Sequence, residues 1–67
     1  MKPWSFADAV RAARERGWRF DRVSGSHYIF VKFGEPRDLP IRCHRGDLKP
    51  GTQRSIMRVL GISPREL

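Results

Sequence analysis

Two side chains in this 67-residue chain, His27 and His44, are of the one type whose ordinary charge change falls near neutral pH. Around them lie eleven arginines and three lysines against seven acidic residues, a formal charge of +7. A histidine among arginines suits one reaction in particular, the cleavage of RNA through its own 2′-hydroxyl. The histidine takes the 2′-OH proton or protonates the leaving 5′-oxygen. Arginines stabilise the charge that builds on the phosphate in the transition state. The nucleophile belongs to the substrate, so the chemistry calls for no metal and no cofactor. Each group also has a plainer reading. A lone histidine at a strand start is more often a turn or surface residue, and an arginine-rich helix face is more often simply solvated.

Little else in the sequence competes for a chemical role. There is no P-loop, no zinc-spaced cluster and no paired-carboxylate site. The single cysteine, Cys43, forbids an intrachain disulfide and reads as a small apolar strand residue. A chain this short makes one domain, residues 1–67, and any site on it is a shallow surface rather than a deep pocket. No run reaches the length of a membrane helix and the N-terminus lacks the apolar region of a signal peptide, which points to the cytoplasm. The basic balance suits a polyanion, and arginine's planar fork suits the phosphates and bases of RNA.

The elements that must position these groups are legible as patterns. Ser5 with Asp8 three residues on is a capping box. Phe6, Ala9, Val10 and Ala13 follow as one helical stripe, with Gly17 as the stop and Trp4 as a hydrophobic staple, so a helix is expected over residues 5–16. Residues 18–23 alternate, with Trp18 and Phe20 on one face, as a first strand. Ser24-Gly25-Ser26 turns the chain, and residues 27–33 are β-branched and aromatic throughout, a second strand. Gly34-Glu35-Pro36-Arg37 is a second turn, and residues 39–44 alternate as a third strand in which Pro40 marks an edge. Thr52, Ile56, Val59 and Leu60 make a second helical stripe closed by Gly61, and Ser63-Pro64 signals one more helical start. The expected fold is α+β, an α-β-β-β-α chain with a three-stranded antiparallel sheet and both helices on one face.

Four groups of residues then carry a likeness. Gly17-Trp18 closes the first helix. Gly25-Ser26-His27 is followed by an aromatic at Phe30. Asp47-Leu48-Lys49-Pro50-Gly51-Thr52 runs into Arg54-Ser55-Ile56, and Gly61-Ile62-Ser63 ends the pattern. Together they resemble the HicA toxin family over about residues 5–64. The resemblance implies a fold like a double-stranded-RNA-binding domain and a ribosome-independent mRNA endoribonuclease. It also implies a HicB antitoxin as protein partner. On that reading His27 is catalytic, with Ser26 and His44 in support. RNA phosphates fall to Arg22, Lys32, Arg42, Arg45, Lys49, Thr52 and Arg54. The resemblance also suggests that Tyr28 and Phe30 face the helices while His27, Ile29 and Val31 face outward, with Ile29 and Val31 meeting the partner. Two positions depart from the family pattern: Tyr28 stands where many relatives have a second histidine, and Ser24 where many have Lys or Arg. Two rival readings remain: a non-catalytic module that grips duplex RNA through Lys49, Thr52 and Arg54, and an inactive relative that only binds an antitoxin.

Overall fold

The computed structural model describes residues 2–63 and 65. The elements run α1 (Phe6–Glu15), β1 (Arg19–Ser24), β2 (His27–Val31), β3 (Leu39–Arg42) and α2 (Pro50–Leu60). The strands form one antiparallel sheet in the order β1-β2-β3, so β2 is central and both neighbours are edges. Phe30, Leu39 and Ile41 on one sheet face pack with Ala9, Ala12 and Ala13 of α1 and with Ile56, Met57 and Leu60 of α2. Both helices therefore cover the same face, and the fold is the expected α+β arrangement. Each large apolar side chain buried there, such as Phe30 or Ile41, contributes roughly 1.5–3 kcal/mol.

Local chemistry explains where the helices stop and start. In α1 the Ser5 Oγ accepts from the Asp8 N–H at 3.2 Å, and the Ser5 N–H donates to Asp8 Oδ2 at 3.0 Å, a complete capping box. At the other end the Trp18 N–H reaches back to the Ala13 carbonyl and the Gly17 N–H to that of Arg14. This pair of bonds needs a left-handed residue between them, and Gly17 supplies it at φ +89°. Trp18 then drops into the core. α2 closes the same way, with Ile62 bonded to Met57 and Gly61 to Arg58.

β2, β3 and α2 differ from their sequence patterns. β2 ends at Val31 instead of running to residue 33, because the Glu35 N–H bonds the Lys32 carbonyl and turns the chain there. Phe33 is consequently 97% exposed. β3 ends at Arg42, and Cys43 beyond it is exposed rather than buried as a small hydrophobe. The buried face of α2 is Gln53, Ile56, Met57 and Leu60, whereas Thr52 is exposed and Val59 is half exposed. The rotation has a cause. The Gln53 amide, only 1% exposed, accepts from the Trp4 N–H at 2.8 Å and donates to the Lys2 carbonyl at 2.7 Å. It thereby satisfies backbone groups that a buried apolar residue would orphan. The helical start expected at Ser63-Pro64 lies partly outside the described residues; the Arg65 N–H does donate to Ser63 Oγ.

Candidate active site

His27 is placed by a turn and a ladder. Ser24 pairs with His27, so Gly25 and Ser26 form a two-residue hairpin loop. Gly25 has φ +60° and Ser26 a negative φ, the signs of a type II′ turn, which follows the natural twist of paired strands. His27 is thus the first residue of the central strand, exposed, with β1 on one side and β3 on the other.

Its partner across β3 is Arg42. The Cys43 N–H donates to the Ser26 carbonyl at 2.9 Å, which makes 26/43 a hydrogen-bonded pair. In an antiparallel ladder the next pair is then the non-bonded kind, with Cα atoms about 4.5 Å apart and side chains at their closest. His27/Arg42 is that pair. The same alternation puts Pro40, opposite Ile29, at another non-bonded position. Its missing N–H points away from β2, so the edge strand tolerates it.

The ladder assigns Ser24, His27 and Arg42 to the sheet face away from the helices, with Arg22, Ile29 and Pro40 in the next row and Arg19 and Val31 beyond. Tyr28 and Phe30 lie on the helix side. Simple alternation from Trp18 and Phe20 would have put Arg22 on the helix side too. A bulge between Phe20 and Arg22 inserts Asp21 and turns Arg22 to the His27 face.

Arg22 is nevertheless already engaged. Its guanidinium contacts Asp21 Oδ2 at 2.7 Å and Asp38 Oδ2 at 2.9 Å. Asp38 precedes β3, so this pair crosses β2 over the row of Ile29 and Val31. The hydrogen bonds that Arg22 donates, first to Asp21 and then to Asp38, favour the charged guanidinium still further. Ile29 keeps only 7% of its surface exposed, which leaves Val31 as the more open part of the expected partner strip.

The remaining expected contacts divide between one cluster and scattered positions. Arg42, His44, Lys49 and Thr52 line a single cavity of about 230 Å³ at the edge of β3 and the start of α2. Lys49 caps α2 without a side-chain hydrogen bond, so the first N–H groups of the helix have no side-chain acceptor. His44 is half-buried, and its Nδ1 lies 2.7 Å from the Arg45 carbonyl. Lys32 is far away: five strand residues from His27 amount to about 17 Å. Its stem lies alongside Gly17 at the C-terminal end of α1, where a cation is favoured. Arg54 lines a separate hollow with Met57, Arg58 and Ile62. The Arg45 and Ser26 side chains are exposed, with their carbonyls holding His44 and Cys43. Among the described residues no three His, Cys, Asp or Glu side chains gather in a way that could hold a metal ion.

A family model described as the HicA toxin of bacterial toxin-antitoxin systems matches residues 6–62. The chain belongs to the HicA toxin family. For this HicA chain the matched span begins at the first residue of α1 and passes the last residue of α2, so it includes every element of the fold. Membership gives the chain the toxin role in a toxin–antitoxin pair and implies an antitoxin partner. No curated protein matches it. No helix among the described residues is long and apolar enough to cross a membrane.

The sequence patterns missed two features of this HicA chain. One is the Gln53 clamp, whose only mark in the sequence is a polar residue inside a helix. The other is an apolar groove between α1 and β1, lined by Phe6, Val10, Phe20, Tyr28 and Phe30 with Arg14 at its rim. Phe20 and Tyr28 rings there lie 5.6 Å apart, and Phe20 stays 43% exposed because neither helix reaches over β1.

Proposed function

We propose that the protein is an endoribonuclease toxin that cleaves mRNA in the cytoplasm without the ribosome, with His27 as a general acid or base. The observation that carries this reading is the close pairing of exposed His27 with Arg42 on an open sheet face. The pair supplies one group that moves a proton and one fixed cation for the phosphate, which is what attack by a neighbouring 2′-hydroxyl requires. Arg42, Lys49 and Thr52 give the RNA backbone a path from His27 to the start of α2, and Ser26 and His44 flank it. Arg45 and Arg54 extend the basic surface at longer range. Arg22 and Lys32 serve the RNA less directly, since Arg22 is bound by two carboxylates and Lys32 sits at the far end of β2. A HicB-like antitoxin would neutralise the toxin by covering the His27 face, meeting Val31 and the rim of Ile29. No metal or cofactor enters, because the attacking oxygen is the substrate's own.

Incubation of the purified chain with ribosome-free mRNA tests the reading, the expected products ending in a 2′,3′-cyclic phosphate and a 5′-hydroxyl. One rival has specific support. The cavity of Arg42, His44, Lys49 and Thr52 at the start of α2 would also suit a passive grip on duplex phosphates. That module would bind duplex RNA equally with and without His27 and cut nothing. An inactive relative would cut nothing and keep only its antitoxin.

A further inference from the structure

We propose that His44 is the second acid–base group of the site, working opposite His27 with Arg42 between them; this rests on the ribonuclease reading. The Nδ1 of His44 lies 2.7 Å from the Arg45 carbonyl oxygen. A carbonyl only accepts, so Nδ1 carries the hydrogen and Nε2 is the free position. A neutral ring so held takes a proton at Nε2, and a charged ring gives one from it. The bond to the neighbouring carbonyl also fixes the ring, a restraint that a freely solvated histidine lacks.

The surroundings match that role. His44 shares its cavity with Arg42, Lys49 and Thr52. Arg42 in turn is the close cross-strand partner of His27. The bond from the Cys43 N–H to the Ser26 carbonyl carries the ladder one residue past Arg42. An extended chain advances about 3.3 Å per residue, so the His44 backbone lies within roughly 7 Å of that of Arg42. The anchors of this segment are long-range. The Leu48 N–H donates to the Trp4 carbonyl at 2.7 Å, and Ser5 pairs with Asp47 in a single antiparallel bridge. Arg42 is thus the neighbour that both histidines share, paired with His27 across the ladder and lining one cavity with His44. In-line displacement at phosphorus puts the entering and leaving oxygens on opposite sides, so two separate acid–base groups sharing one phosphate-binding cation suit it.

The step balances without a further reactant. One imidazole removes the 2′-OH proton as the O2′–P bond forms. The other, protonated, delivers its proton to O5′ as the P–O5′ bond breaks. The products are a 2′,3′-cyclic phosphate and a 5′-hydroxyl, nothing is oxidised or reduced, and proton exchange with water resets both rings.

The test compares full-length wild type, His27→Ala, His44→Ala and His44→Gln on two short RNA substrates. One is ordinary, and the other carries sulfur in place of the bridging 5′-oxygen. A thiolate leaves without being protonated, so loss of the general acid is masked on the second substrate. On the ordinary substrate each histidine variant is expected to lose about 10²-fold or more in kcat. One of the two positions, and only one, is expected to return to within about tenfold of wild type on the thio substrate, as masking of a single general acid requires. His44→Gln keeps a donor for the Arg45 carbonyl but does not titrate, and it is expected to fail as His44→Ala does. Wild-type kcat in either His44 variant, a loss confined to KM, or recovery of both positions or neither on the thio substrate overturns the proposal. If wild type and His44→Ala cut RNA equally while His27→Ala does not, only this inference fails. If wild type cuts no RNA, the ribonuclease reading fails and takes the inference with it.

Discussion

Arg42 stands directly opposite His27 in the β2–β3 ladder, at a position where the two exchange no backbone bonds with each other and the side chains approach most closely. Arg22, on the same face one strand over, is held instead by Asp21 and Asp38. The two arginines should therefore behave differently. Arg42→Ala is predicted to lower kcat/KM for RNA cleavage by about 10²–10³-fold, the usual loss for one transition-state donor. Arg42→Lys should restore only part of it, because a point charge does not reproduce the planar fork. Arg22→Ala should cost less than about tenfold, since exposed ion pairs contribute little. Steady-state cleavage of one short RNA by the three variants checks this, and equal losses at Arg22 and Arg42 would contradict the pairing argument.

Gln53 fastens the N-terminal segment to α2 through the Trp4 N–H and the Lys2 carbonyl. Gln53→Ala removes both partners and leaves the Trp4 N–H buried and unpaired. The expected cost is about 1–3 kcal/mol. In a domain this small each kcal/mol lowers Tm by roughly 4–8 °C. Urea and thermal melts read the loss directly, and a Tm unchanged from wild type would show that the clamp is dispensable.

The α1 capping box gives a pH signature. The Ser5 backbone N–H first, then the Ser5 hydroxyl, with Arg11 and Lys2 adding charge, hold the Asp8 carboxyl below the ordinary carboxylate range. The folded chain therefore binds this proton more weakly than the unfolded one. The stabilisation is full above the unfolded value and is lost as pH falls through the lower folded value. Asp8→Asn should be less stable than wild type near neutrality, with the gap in urea midpoint closing in acid. A gap independent of pH would mean that the carboxylate's charge plays no part.

Most of the fold was legible because its signals are local. The capping box, the two closing glycines, the Gly25-Ser26 hairpin and edge-placed Pro40 each act over a few residues, and each appears where the sequence puts it. The unread parts depend on partners far along the chain. Gln53 is only a polar residue inside a helix until Lys2 and Trp4, 51 and 49 positions away, are beside it. The Asp21 bulge leaves no mark on a period-two pattern, yet it decides which face Arg22 takes. The candidate site shows the same division. His27 was placed by its own turn, whereas the gathering of Arg42, His44, Lys49 and Thr52 required β3 and α2 to meet.

If His27 moves the proton in RNA cleavage, its loss slows the chemical step itself. The most direct measurement is the single-turnover cleavage rate of one defined RNA by wild type and by His27→Ala, with circular dichroism showing both folded. A loss of about 10²–10⁴-fold is expected in the variant, the range for removing a positioned acid or base. Equal rates in the two folded proteins would contradict it.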